Sequence, residues 1–171
     1  AVARDHAAPA QAVGLVRRGA LAAAGLTVHV LGTCPVPVAR THVGRHCDGG
    51  IIVRTSPGRP ERQLLMFLDA HGVDVDLRTR QDLERVMNRH DIMRSAPDEV
   101  GEVLAPMGAV EDYVSTVMSA IDMNGVREAG LRLVVDTAGG PCATVLPELM
   151  ASLDVDVLNV NARLTPLHPT E

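Results

Sequence analysis

The sequence has no tryptophan and no lysine, and only one phenylalanine (Phe67) and one tyrosine (Tyr113). Such scarcity of aromatics argues against single-strand nucleic-acid binding, which relies on stacking platforms. The lack of lysine excludes a catalytic lysine and a Walker-type phosphate loop. All sixteen basic residues are arginine. Cys34, Cys47 and Cys142 are far apart and form no C-x-x-C pair, so neither a zinc site nor a disulfide framework is suggested. They read as reduced cysteines of a cytoplasmic protein. No apolar run reaches the length of a membrane span, and the first residues do not read as a secretory signal. The net charge of −5 is spread along the chain without a basic stripe, which argues against nucleic acid and anionic lipid as partners.

What is present is an aliphatic core. Hydrophobic residues make up 46% of the 171, almost all Ala, Val, Leu, Ile and Met. This suits a parallel sheet covered by helices on both faces. Val2-Ala3-Arg4-Asp5 reads as a strand end entering a loop, so the chain is expected to begin inside a domain. Pro9 to Ala24 reads as a helix stopped by Gly25, and Leu26 to Leu31 as a strand followed by a turn at Gly32–Pro35. Val36 to His46 is a second helix and Ile51-Ile52-Val53 a β-branched core strand. Arg54 to Arg62 reads as a loop, Gln63 to Leu68 as a strand returning antiparallel from it, and Leu77 to His90 as a helix with Leu77, Leu83, Val86 and Met87 facing inward.

Asp91 to Pro106 is polar and irregular and is the expected domain boundary. Beyond it, Val110 to Ala120 is an amphipathic helix, followed by a short helix ending near Gly130. Leu131 to Asp136 and Val155 to Val160 read as strands joined by a Gly-rich turn and a helix from Cys142 to Leu153. The last residues, 163–171, carry no periodicity. The alternation predicts an α/β fold with a mixed, mostly parallel sheet over residues 1–106, then a partial second α/β unit over 107–171.

Ligands of open α/β sheets bind beyond the carboxyl ends of the strands. Four loops qualify, after Ala3, Leu31, Val53 and Asp136. The one after Val53 has the richest chemistry. Ser56 offers a hydroxyl as nucleophile or phosphate carrier. Gly58 permits positive φ, and Arg54, Arg59 and Arg62 offer bidentate phosphate contacts. A plain exposed connection is the alternative reading. Arg4-Asp5-His6 follows another strand end and could share that ligand face. Asp136 could orient a loop, bind a ligand or cap a helix. His42, His46, His71, His90 and His168 show no metal-ligand spacing; His42 and His46 stand at i, i+4, but no carboxylate or third ligand accompanies them on that helix. Asp69, Asp74 and Asp76 around Gly72 read as a solvated turn.

Several strings, in order, resemble the α-D-phosphohexomutases, the phosphomannomutase and phosphoglucomutase family. Val2-Ala3-Arg4-Asp5 resembles its V-G-R-D strand end. Gly25 to Gly32 followed by Pro35-Val36-Pro37 resembles its A-G-x-x-V-x-x-L-G-x-x-P-T-P stretch. Gly50 to Ser56 resembles G-x-x-I-T-A-S-H-N-P, and Leu131 to Asp136 with Gly139-Gly140 and Leu146-Pro147-Glu148-Leu149 resembles V-V-D-x-x-x-G-x-G and L-P-x-L-L. The resemblance implies a three-layer α/β/α first domain and part of a second. It implies that Ser56 carries a phosphoryl group exchanged with a hexose phosphate and contacts Mg²⁺, and that Arg4, Arg54, Thr55, Gly58 and Arg59 bind phosphate or substrate.

After Ser56 the pattern departs: Pro57, Gly58 and Arg59 stand where the family has His, Asn and Pro. The family's opening G-T-S-G-x-R-G loop and its three-Asp D-G-D-x-D-R magnesium loop are not among the 171 residues. The chain is therefore expected to be a fragment, inactive alone, with the rest of a parent polypeptide as partner. The altered serine loop and Asp76 to Glu84 are similar to the mutase-like region of bacterial mannose-1-phosphate guanylyltransferases. That likeness implies an alternative: a non-catalytic, sugar-phosphate-binding module beside a nucleotidyltransferase domain.

Overall fold

The structure, a computed structural model, describes residues 1–56, 58–89 and 95–164. Pro57, His90, His168 and most of the expected tail lie outside the described residues. The elements are Val2–Arg4 (β1), Ala8–Ala23 (α1), Val28–Thr33 (β2), Val36–His46 (α2), Gly50–Ser56 (β3), Arg59–Leu68 (β4), Leu77–Arg89 (α3), Val103–Leu104 (β5), Ala109–Ala120 (α4), Met123–Glu128 (α5), Arg132–Asp136 (β6), Leu146–Leu153 (α6) and Asp156–Val160 (β7). Short 3-10 turns occupy Pro97–Glu99 and Pro141–Thr144.

Five strands form one sheet in the order β4-β3-β1-β2-β5. β1 pairs in parallel with β2 and with β3, which sets Arg4 opposite Thr33 and Val53. β5 adds in parallel to β2, and β4 returns antiparallel along β3. The expected mixed, mostly parallel sheet is present. Its helices fall on two faces because strand side chains alternate. Val2 and Val28 pack with Ala22 of α1 on one face. Ala3 and Ile52 pack with Val38, Ala39 and Val43 of α2 on the other. Each buried Val or Ile side chain contributes about 1.5–3 kcal/mol relative to exposure, each Ala less. Val114 of α4 and Val145 join the α2 face, where α4 lies against α2.

Several elements differ from the sequence reading. β2 starts two residues later and runs through Gly32 and Thr33, which are not a turn. Pairing jumps from Val2↔Val30 to Ala3↔Gly32, so β2 holds an extra residue, a bulge, opposite β1. The segment read as polar and irregular contributes β5, because Val28 and His29 leave the sheet edge open to a partner. The helix expected from Cys142 is instead a 3-10 turn followed by α6, with Pro147 in the first turn of the latter. Pro147 has no N–H for a preceding turn.

Two apolar stripes are not covered as expected. None of α3 is buried: Leu77 is 67% exposed, Val86 53% and Met87 60%. α3 stands over β4 across a groove of about 490 Å³ lined by Leu65, Phe67, Leu83 and Met87. β6 and β7 form a separate parallel pair, and Val134 and Leu158 are exposed on it.

Candidate functional site

β1 and β2 end level with Val53 at Arg4 and Thr33, β3 runs three residues further to Ser56, and α1 and α2 begin beside this edge. Helix amino termini carry unpaired N–H groups and favour anions. Pro9 and Pro37 in their first turns leave that polarity intact while fixing φ. Asp5 braces this edge. Its backbone N–H donates to Val53 O at 2.9 Å. Its carboxylate accepts from Ala7 N at 3.0 Å and from Thr55 N at 2.5 Å.

The expected loop from Arg54 to Arg62 is a β-hairpin. β3 runs through Ser56, β4 begins at Arg59, and Ser56 pairs with Arg59, leaving only residues 57 and 58 between them. Gly58 has φ +70° and open space where a side chain would stand, so this tight reversal suits glycine. The pairing shifts register between Thr55 and Ser56: one step on β3 spans Gln63 to Arg59 on β4, so the extra residues belong to β4. The reading as a loop fails because turn-type residues sit on strand ends here, and the β3–β4 ladder extends almost to the turn.

The structure divides the expected site residues. Arg54 shares the face of Ile52, toward α2, and is exposed. Arg4 shares the face of Val2, toward α1. There the Arg4 guanidinium donates to Asp5 O at 3.1 Å and lines a cavity of about 190 Å³ with Gln11, Arg18 and Gly32. Ser56 does not line that cavity. Thr55 is half-buried; its N–H is committed to Asp5, and its hydroxyl accepts from Gln63 Nε2 at 3.5 Å. Arg59 is exposed, and neither it nor Arg54 has an ion pair among the described residues. Both ring nitrogens of His6 are shielded from solvent and unpaired, an unmet hydrogen-bonding capacity next to Asp5. Arg62 pairs loosely with Glu61 at 3.9 Å.

The resemblance implies Mg²⁺ at Ser56, and the surroundings of Ser56 do not fit that ion. Magnesium needs several oxygen ligands in near-octahedral geometry. The carboxylate braced closest to this strand end, Asp5, already serves two backbone N–H groups. Among the described residues, neither convergent group of three His, Cys, Asp or Glu side chains lies at this strand end.

Other acidic candidates have structural partners. The Asp136 carboxylate accepts from Asn161 Nδ2 at 2.9 Å and Ala138 N at 2.8 Å, contacts that hold it below the usual carboxylate range. It thereby ties the turn after β6 to the turn after β7. Asp69 accepts from His71 N and Val73 N, Asp74 pairs with Arg40 at 2.9 Å, and Asp76 accepts from Thr79 N at the start of α3. These three acids fasten their turn. The histidine reading also changes: His42 and His46 gain ligand-type neighbours from outside their helix, namely His29, Cys47 and Asp112. Only the i, i+4 spacing was visible in the sequence, because Asp112 lies 66 residues from His46.

Comparison with known proteins agrees with this fold. The chain is 28% identical over 163 residues to a probable phosphoglucosamine mutase of Methanopyrus kandleri, covering 95% of this chain and 35% of that protein. It is 25% identical over 143 residues to a phosphoglucomutase/phosphomannomutase of Thermococcus kodakarensis, covering 83% of this chain and 31% of that protein. The crystal structure of a putative phosphomannomutase from Thermus thermophilus superposes with a TM-score of 0.80 at 24% identity, over 97% of this chain and 38% of that one. The chain thus spans about a third of the length of the relatives it matches. Residues 1–93 match the family model described as phosphoglucomutase/phosphomannomutase, alpha/beta/alpha domain I, and the chain belongs to that family.

Proposed function

We propose that the hairpin from Arg54 to Arg59 binds the phosphoryl group of a hexose phosphate, and that Ser56 is the residue that exchanges phosphate within a phosphohexomutase. The observation that carries this reading is the position of Ser56: the last residue of β3, at the carboxyl edge of the sheet, inside the matched residues. Arg59 stands opposite it, and Arg54 projects from the same strand. Neither guanidinium group has an ion pair among the described residues, so a planar phosphate fork costs them no such partner. Arg4, Thr55 and Gly58 support this edge by lining, bracing and turning it.

In the exchange, the Ser56 Oγ–phosphorus bond breaks as a hexose hydroxyl oxygen bonds to phosphorus, and the hydroxyl proton is released. The return step moves the sugar's other phosphoryl group onto Ser56 Oγ. A second reading, binding without turnover in a mutase-like module of a mannose-1-phosphate guanylyltransferase, is favoured by Gly58 and Arg59 standing where the family has Asn and Pro.

The test is to incubate the chain with a hexose 1,6-bisphosphate and locate phosphate by mass spectrometry, while following backbone amides by NMR during titration with mannose 6-phosphate. The expected result is shifts at Thr55, Ser56 and Arg59, with affinity falling about tenfold, or ~1.4 kcal/mol, in Arg59→Ala. Phosphate on Ser56, absent in Ser56→Ala, supports exchange; binding alone supports the second reading. Unmoved amides at all three positions defeat both.

A further inference from the structure

Side chains able to ligate a metal converge at the amino end of β2, the opposite end of the sheet from Ser56. His29 projects from β2 toward α2. His42 lies on the buried face of α2, 3% exposed, and Cys47 follows the last residue of that helix. His29 Nδ1 is 3.0 Å from His42 Nε2 and 3.5 Å from Cys47 Sγ. The three ligand atoms all lie within 4.8 Å of one another.

The two separations from His29 Nδ1 come close to those around a tetrahedral ion. With bonds of about 2.0–2.1 Å to imidazole nitrogen and about 2.3 Å to thiolate, two nitrogens stand about 3.3 Å apart, and a nitrogen and a sulfur about 3.6 Å. His42 Nε2 and Cys47 Sγ lie within 4.8 Å of each other, so closing that third edge takes a side-chain shift of up to about 1.2 Å.

Hydrogen bonding alone serves the cluster poorly. A neutral ring nitrogen has either one proton or one lone pair. His29 Nδ1 cannot satisfy His42 Nε2 and Cys47 Sγ fully at once, whereas all three can point at a cation. A cavity of about 460 Å³, lined by His29, His46, Cys47 and Asp48, gives an ion and its water a way in.

The neighbouring set of His42, His46 and Asp112 is a weaker cation site. Its carboxylate already contacts His46 Nε2 at 2.8 Å and the Arg45 guanidinium at 3.1 Å, so an ion there would meet a fixed positive charge. We infer that His29, His42 and Cys47 bind one divalent ion of the zinc type, with the fourth position open to the cavity. The site would join β2, α2 and the turn into β3, and is independent of phosphate binding.

The test uses the metal-free chain and Co²⁺ as a spectroscopic stand-in. One equivalent should give the intense visible bands of a four-coordinate ion and a near-ultraviolet thiolate-to-cobalt band, both bleached by Zn²⁺. Cys47→Ser should abolish the near-ultraviolet band. Cys47→Ser and His29→Gln should each weaken zinc binding at least tenfold, with circular dichroism confirming that both variants fold. His46→Ala should bind within about threefold of the unaltered chain. A cobalt complex without the thiolate band overturns the inference. So does loss of binding in His46→Ala with Cys47→Ser unaffected, or the absence of stoichiometric binding.

Discussion

The Asp5 carboxylate accepts a 2.5 Å hydrogen bond from the backbone N–H of Thr55, fifty residues away, and so fixes the end of β3 against the end of β1. The residue before Ser56 is thereby held by side chain as well as by the sheet. A charged acceptor on a backbone donor is worth roughly 1.5–3 kcal/mol where water is excluded, and less at a half-buried edge. Asp5→Ala should destabilise the chain by about 2 kcal/mol, read as a lower urea midpoint with an unchanged slope. Asp5→Asn keeps one acceptor oxygen and should lose about half as much. A midpoint unmoved by Asp5→Ala would mean the brace carries no weight.

Ile52 supplies a scale for the core. It is 2% exposed and packs between the sheet and α2. Ile52→Val should cost about 1 kcal/mol and Ile52→Ala about 3 kcal/mol, from lost burial plus the cavity left behind. Equal midpoints for the two variants would contradict the packing described.

The turn after β4 offers a backbone test. Gly72 has φ +73°, and a Cβ there would lie 2.2 Å from Arg40 O. Arg40 reaches back to Gly72 O at 3.0 Å and to Asp74 at 2.9 Å. Gly72→Ala combines left-handed strain with that clash and should cost at least about 2 kcal/mol. Arg40→Ala removes a half-exposed ion pair and one hydrogen bond and should cost about 1 kcal/mol. If Arg40→Ala proves the more damaging, the turn is held by charge and the conformational account is wrong.

Thiol chemistry should separate the cysteines. Cys34 is buried, and burial pushes its thiol up to about 11. Cys142 is exposed. Because the thiolate is the nucleophile, iodoacetamide at pH 8 should modify Cys142 first, with Cys34 reacting only when urea opens the fold. Mass mapping over time checks this order; native Cys34 reacting as fast as Cys142 would refute it.

The parallel order of β1, β2 and β3 was legible in the sequence because apolar runs alternated with helical segments bounded by Pro9, Gly25 and Pro37. Ser56 was read as part of the loop after Val53, whereas it is the last residue of β3. Its hairpin was not legible, since Thr, Ser, Pro and Gly mark a turn without saying how far the flanking strands extend. In α3, periodicity identified an apolar face, but nothing in a periodicity says whether another element covers it. The His29–His42–Cys47 cluster was invisible for a third reason. Its members come from a strand, a helix and a turn, and only the parallel crossover from β2 through α2 makes them neighbours.

The extra residue that β2 holds opposite β1 separates that strand into two phases. His29 precedes it, on the amino side, and Thr33 follows it, at the edge shared with Ser56. From Gly50 to Ser56 the sheet runs roughly 20 Å along β3, two strands over. With the bulge between them, the side-chain phase at the histidine end is set apart from that at the serine end.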